Sequence, residues 1–330
     1  MKCMAIVEFG DASVFQMINL DKPSVKPGHI LITVKATSVN PLDFKLRKGF
    51  FPDLIPEFPI ILHGDVAGIV AEAGEDVTKF KVGDEVYGCA GGLLNMHGAL
   101  AEFMLVDANL IAHKPKSLSF TEAAALPLVS LTAWEALITK ANLQKNQSIL
   151  IHGGTGGVGH VAVQLANWLG AKVFTTSSDE KKLAIAKQLG AHVAINYKTT
   201  KPEKYVAEHA QDSGFDIVFD TVGGENIHPS VQAVAPFGQV ISILPSGTFD
   251  SAAAFVKSLT MHYVFQPLPL ITGVNRAHYG EILEKIATLV DEGVIKPLID
   301  EREFTVHDVA AAHDHLEKGN AIGKVVIQGF

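Results

Sequence analysis

Cysteine is nearly missing from this 330-residue chain, which has only Cys3 and Cys89. That scarcity excludes a disulfide framework and a cysteine-rich structural zinc lobe. Long apolar runs are also missing, and none approaches the length that spans a bilayer. Basic residues are outnumbered, 27 Lys and Arg against 35 Asp and Glu, for a net charge of −8. No segment concentrates positive charge, so neither a nucleic acid nor an anionic membrane surface is an expected partner. The first nine residues alternate like an edge strand and hold Glu8, the wrong pattern for a secretory leader. The expected compartment is therefore the cytoplasm. Repeats and low-complexity tracts are absent as well.

What the chain does have is a glycine cluster in an informative place. The apolar run Ser148-Ile149-Leu150-Ile151-His152 passes straight into Gly153-Gly154-Thr155-Gly156-Gly157-Val158-Gly159. Gly154, Gly156 and Gly159 fall at G-x-G-x-x-G spacing: one for the tight turn, one for close approach to a pyrophosphate, one for helix-to-strand packing. A helix follows, with Val161, Leu165, Trp168 and Leu169 on one side and its positive N-terminus toward the phosphates. A second strand at 172–176 completes a βαβ unit. The unit is a dinucleotide site, and Thr155, Gly157 and Val158 belong to its phosphate loop.

The two ends of the chain differ in texture from its middle. Short strands are expected at 30–36, 66–73, 85–88 and 101–106, separated by Pro27-Gly28, Gly74 and Val82-Gly83-Asp84 turn signals, which suggests a compact, partly open β-barrel. Helical texture begins at Phe120. Strands at 194–196, 217–220 and 239–243 then alternate with amphipathic segments, the pattern of a parallel, doubly wound sheet. The tail returns to helices from about 278 to 291 and 308 to 316, and to a closing strand at 324–327. The fold class is α/β.

These motifs, together with Leu189-Gly190-Ala191, Gly64-Asp65-Val66-Ala67-Gly68-Ile69-Val70, Val82-Gly83-Asp84-Glu85-Val86 and Gly98-Ala99-Leu100-Ala101-Glu102-Phe103, resemble the medium-chain dehydrogenase/reductase superfamily over essentially the whole chain. The resemblance implies a GroES-like catalytic domain from residues 1–122 and 268–330 and an inserted Rossmann domain from 123–267. It points to the zinc-free branch of quinone and enone (alkenal/one) oxidoreductases. Zinc-dependent relatives use cysteine, histidine and cysteine as ligands, and the matching positions here are Asn40, Gly64 and Leu128. Zinc prefers sulfur and imidazole, so no metal is expected. His63 adjoins one of these positions and could be a displaced ligand, but it lacks partner ligands and reads as a hydrogen-bonded structural residue, as do His97 and His152.

Without a Lewis acid, simple alcohols become poor substrates. A quinone or α,β-unsaturated carbonyl is easier to reduce, because the arriving charge delocalises onto an oxygen that protein hydrogen bonds can hold. The resemblance assigns this chemistry to the segment Asn40–Arg47, where the enone-reductase branch has lysine at Lys45 and many quinone oxidoreductases have tyrosine. Two readings of Lys45 compete: a donor to the substrate carbonyl or nicotinamide ribose, or, with Arg47, a solvated cation flanking a buried strand end. Asn40 and Asp43 would orient the segment and the nicotinamide. Thr132 matches a threonine that lies against the nicotinamide, and its alternative is a helix cap.

Cofactor choice is read after the second Rossmann strand, where NAD enzymes place an acid. Ser177 stands there, with Ser178, Lys182 and Tyr197 as further donors, which favours NADPH; the competing reading makes Asp179 the ribose acid. Val222 beside Gly223-Gly224, and Ile243-Leu244-Pro245 along the nicotinamide carboxamide, complete the expected site, and Lys324 is counted with the cofactor-binding residues. Phe50, Phe51, Leu94 and Met96 border an expected apolar substrate pocket, though the aromatics could equally be core. A strand at 261–265 resembles one that pairs across a two-fold axis, which implies a homodimer; the alternative is a covered edge. The rival functions are a zinc-dependent alcohol dehydrogenase and a non-catalytic, crystallin-like NADPH-binding protein.

Overall fold

His29–Val39 is rich in apolar and β-branched residues, and it forms the longest described strand in the computed structural model, which describes residues 1–210, 213–244 and 251–330. Ile30, Leu31, Ile32, Val34, Ala36 and Val39 are all buried. The strand is long enough to take three partners. Residues 29–33 pair with Phe103–Asp107, residues 36–39 pair with Val325–Gln328, and Asp65–Ala73 runs along most of its length with two irregularities in register. The sheet continues through Glu85–Cys89 to Ile111–His113, and beyond Val325–Gln328 to Phe304–Thr305. These seven strands of mixed direction stay open. A separate ribbon pairs Lys2–Ile6 with Phe15–Asn19.

This sheet belongs to one of two compact units, made of Met1–Leu128, Pro267–Gly293 and Pro297–Phe330; the other comprises Val129–Gln266 and Val294–Lys296. Among the described residues the second unit carries six strands, every pair parallel, in the spatial order Val193–Asn196, Lys172–Ser177, Ser148–His152, Phe215–Asp220, Val234–Ser242, Thr260–Tyr263. Numbered along the chain, that is the 3-2-1-4-5-6 order of a dinucleotide-binding sheet. Leu150, Phe174, Phe215, Val218 and Val240 form its core with Tyr205, Ile227 and Val231. Each such side chain contributes about 1.5–3 kcal/mol of burial.

Three local expectations are corrected. The strand expected at 239–243 begins five residues earlier, at Val234, because a bulge sets Phe215 opposite Val234 but Ile217 opposite Gln239. The intervening Pro236-Phe237-Gly238 reads as a turn in sequence. Trp168 is 45% exposed and does not share the buried side of its helix, Gly157–Trp168, which is filled by Val161, Ala162 and Leu165. The segment after Asn40 is a short helix, Pro41–Arg47, and not the strand end of the competing reading of Lys45 and Arg47.

Candidate functional site

The glycine loop closes as its sterics require. At Gly154 a Cβ would lie 2.1 Å from Thr175 Oγ1, and at Gly159 it would lie 2.1 Å from the Gly153 carbonyl oxygen. Only hydrogen fits at either place, so the strand Ser148–His152 hands the chain to the helix Gly157–Trp168 in one tight turn. Gly156 caps that helix without a side chain. The first N–H groups, those of Gly157 and Val158 among them, therefore have no acceptor within the helix and suit an anion. Thr155 is buried within the loop.

At the end of the second strand, Ser177 is buried and its Oγ has no partner among the described residues. Ser178 Oγ donates to Asp179 Oδ2 at 2.8 Å, and Asp179 Oδ1 caps the helix Glu180–Gln188 by accepting from the Lys182 N–H at 3.0 Å. These bonds hold the Asp179 carboxyl below its usual range. Lys182 Nζ lies 4.0 Å from the same carboxylate. The exposed Tyr197 stands beside them, with its N–H on the Ser177 carbonyl at 3.2 Å.

Asp220, fully buried at the end of the fourth strand, gathers the next turn. Its Oδ1 accepts from the N–H groups of Val222 and Gly223 at 3.0 Å each and from Asn226 Nδ2 at 2.8 Å, while Oδ2 has no partner among the described residues. Across the strand pair sits His152, whose imidazole is pushed down to about 4 by burial against the opposing pull of Asp220. Val222 itself is half exposed. The Ile243 N–H meets the Asp220 carbonyl at 3.4 Å and the Leu244 carbonyl accepts from Ser242 Oγ at 2.9 Å; Pro245 lies outside the described residues. Thr132 is buried well inside the helix Pro127–Trp134, so it is not a cap.

The first unit holds a second constellation around Asp65, which has no exposed surface. Its Oδ2 accepts from Ser38 Oγ at 2.7 Å and Asn40 Nδ2 at 2.8 Å, and its Oδ1 from the Leu128 N–H at 2.8 Å. Lys324, 2% exposed, directs its ammonium at Asn40 Oδ1 (2.5 Å), the Val39 carbonyl (3.2 Å) and Asp65 Oδ2 (3.4 Å). Its three hydrogens are thus all engaged within this unit. Asn40 also starts the helix Pro41–Arg47 with a capping box, its N–H donating to Asp43 Oδ2 at 2.7 Å. Burial pushes the Asp43 carboxyl up to about 7 despite that bond.

His63 meets its neighbours through both ring nitrogens. Thr37 Oγ1 donates to the Asp65 carbonyl at 2.6 Å, so it accepts from His63 Nδ1 at 3.3 Å, and His63 Nε2 accepts from His313 Nε2 at 2.8 Å. Burial pushes His63 down to about 3 and His313 well below its ordinary value. Arg47 is fully buried and donates to Glu317 at 2.9 Å, which removes the competing reading of it as a solvated cation. Lys45 is only half-buried, and its ammonium has no partner among the described residues. Phe50 is 63% exposed and Phe51 37%, so neither is core. The Leu94 N–H reaches the Leu54 carbonyl at 2.6 Å, and Met96 Sδ lies 4.0 Å from Arg276 Nη2.

Zinc does not fit the family's ligand positions. The Asn40 amide oxygen, the atom a metal would need, already faces the Lys324 ammonium, one amide hydrogen goes to Asp65, and a Cβ at Gly64 would come within 3.0 Å of Cys89 Sγ and the Gly91 carbonyl. A dinucleotide does fit the second unit, where a loop too tight for side chains adjoins the unpartnered Ser177 Oγ.

Residues 26–116 match the family model described as the alcohol dehydrogenase GroES-like domain, and residues 157–279 that described as zinc-binding dehydrogenase. The chain is 36% identical to a 2-methylene-furan-3-one reductase of Solanum lycopersicum, over 99% of this chain and 79% of the relative. It is 32% identical to an NADPH-dependent alkenal/one oxidoreductase of Arabidopsis thaliana described as chloroplastic, over the same 99% and 79%. Among solved structures it matches the Escherichia coli quinone oxidoreductase complexed with NADPH at a TM-score of 0.89 and 25% identity, covering 99% of this chain and 100% of that one.

Proposed function

Because the chain belongs to the medium-chain dehydrogenase/reductase superfamily, in its branch of quinone and enone oxidoreductases, we propose that it is an NADPH-dependent, zinc-independent reductase of quinones or α,β-unsaturated carbonyls. The observation that carries this reading is the Asn40–Asp65–Lys324 cluster, which fills the metal's place with a hydrogen-bonded amide and an ion pair. A site without a Lewis acid suits an acceptor whose charge is spread by conjugation.

In this reading the N–H groups of Gly157 and Val158 hold the diphosphate, and Ser177, Ser178, Lys182 and Tyr197 take the 2′-phosphate. Asp179 already serves as a helix cap, which weakens its claim as a ribose acid. Bound NADPH supplies a hydride, and Thr132, Val222, Ile243 and Leu244 orient the nicotinamide. Lys45 and Asn40 hydrogen-bond the oxygen that gains negative charge. Asp43 fixes the start of their helix, and Phe50, Phe51, Leu94 and Met96 give the acceptor an apolar border. The assembly is a homodimer in the cytoplasm, with no nucleic-acid or membrane partner; no described helix is long and apolar enough to cross a membrane.

The test is loss of the reduced-nicotinamide absorbance with a panel of quinones, enones and simple aldehydes, run with chelator and with added zinc. Turnover of conjugated acceptors that is indifferent to chelator is the expected result. Activity confined to alcohols and aldehydes, or restored only by zinc, overturns the proposal.

A further inference from the structure

The four donors around Asp65 come from three distant parts of the chain: Ser38 with Asn40, Leu128, and Lys324. Two of these, Asn40 and Leu128, are metal-ligand positions in zinc-dependent relatives, and Asp65 directly follows the third, Gly64. The three positions that a metal would draw together are drawn together here by one carboxylate. A buried carboxylate needs a counter-charge, and the Lys324 ammonium supplies it from 3.4 Å while also bonding Asn40 Oδ1.

This geometry decides what Asn40 offers. An ammonium is only a donor and a carboxylate only an acceptor, so the amide cannot be flipped: oxygen to Lys324, nitrogen to Asp65. Among the described residues, the one donor left uncommitted on that side chain is the second hydrogen of Nδ2. We propose that Asp65 and Lys324 are a positioning pair that locks Asn40 as a hydrogen-bond donor, replacing the metal's organising role without touching cofactor or substrate. The inference rests on the reductase reading for its kinetic consequence, but its structural core does not.

The pair separates from a merely structural ion pair through charge-balanced variants. Lys324→Met strands a buried carboxylate and loses thermal stability. Asp65→Asn with Lys324→Met removes both charges and is expected to recover most of that stability, because an uncharged buried pair avoids the desolvation cost. In this double variant kcat stays at least about tenfold below wild type, about 1.4 kcal/mol, while the Kd for NADPH, read by nicotinamide fluorescence, changes less than about twofold, well under 1 kcal/mol. Recovery of kcat together with stability would reduce the pair to a structural role and overturn the proposal. A Kd raised tenfold in the double variant would make Lys324 a cofactor ligand, which also overturns it.

A readout independent of turnover protects the test if the reductase reading itself fails. In wild type the Asn40 side-chain amide, assigned with Asn40→Ser, should give exchange-protected proton–nitrogen signals. Those signals should lose protection in the folded double variant. Equal protection in both proteins would reject the locking of Asn40, whatever the enzyme reduces.

Discussion

Lys45 projects from the helix Pro41–Arg47 half-buried and, among the described residues, without a counter-ion, and burial lowers its pKa. A partly desolvated ammonium gains from any oxygen brought to it, which is the behaviour required of a group that meets a developing enolate or phenolate. Lys45→Ala should lower kcat/KM at least about tenfold, about 1.4 kcal/mol of transition-state stabilisation. Steady-state kinetics with the best conjugated acceptor decide it, and unchanged rates return Lys45 to an ordinary surface role. Ser177 makes a matching case at the other unit. Its buried hydroxyl has no partner among the described residues and sits where a carboxylate would repel a 2′-phosphate. Ser177→Asp should raise the NADPH Kd at least about tenfold and narrow the gap to NADH, on the usual strength of a like-charge contact near a protein surface. Calorimetric titration of both cofactors measures this, and an unaltered preference would displace the 2′-phosphate from this site.

Elements read well from sequence wherever each residue had a local steric reason. The βαβ unit was legible because Gly154 and Gly159 leave no room for a Cβ, and the spacing of two such glycines after an apolar strand marks the turn directly. Gly159→Ala would drive a methyl onto the Gly153 carbonyl, at an overpacking cost of about 1–3 kcal/mol. The expected result is a lower melting temperature with loss of NADPH binding; full binding would mean that the turn relaxes freely. The helix Pro41–Arg47 carries a helix-start signature, Asn40-x-x-Asp43 with a proline between, but is only seven residues long and shows too little periodicity to stand out. Its lysine and arginine fit a solvated surface equally well in sequence. The bulge at Phe215 was hidden because Pro236 and Gly238 imitate a turn, and Trp168 was misplaced because helical spacing alone cannot tell a stripe's edge from its centre. The Asp65 cluster had no readable signal, since its bonds to Lys324 and Leu128 cross 259 and 63 positions of sequence.

At the scale of the whole molecule, two expectations concern association and acid response. Thr260–Tyr263 pairs only with Val234–Ser242 among the described residues, and Tyr263 is 51% exposed, so this edge is where the proposed homodimer is expected to pair. Sedimentation equilibrium showing a monomer at micromolar concentration would remove that assignment. The acid response follows from buried groups that titrate in opposite senses. His63, pushed down to about 3, His152, pushed down to about 4, and His313, pushed well down, all stay neutral in the folded state while their unfolded counterparts take up protons below about pH 6.5. Their contribution is complete above that pH and is lost as the pH falls, because the unfolded state then binds more protons. Asp43, pushed up to about 7, works against them: folded, it holds a proton through the window from about 7 down to 4 that its unfolded form has released, so its burial favours folding as the medium acidifies. Three groups outweigh one. Stability should therefore fall by about 1–3 kcal/mol per pH unit between pH 6 and 5, at the usual ~1.4 kcal/mol per proton. Asp43→Asn removes the opposing group and should steepen that fall by about 1.4 kcal/mol per unit. Urea unfolding read by circular dichroism across this range measures both slopes, and a flat wild-type profile would mean that these histidines are not buried as neutral bases.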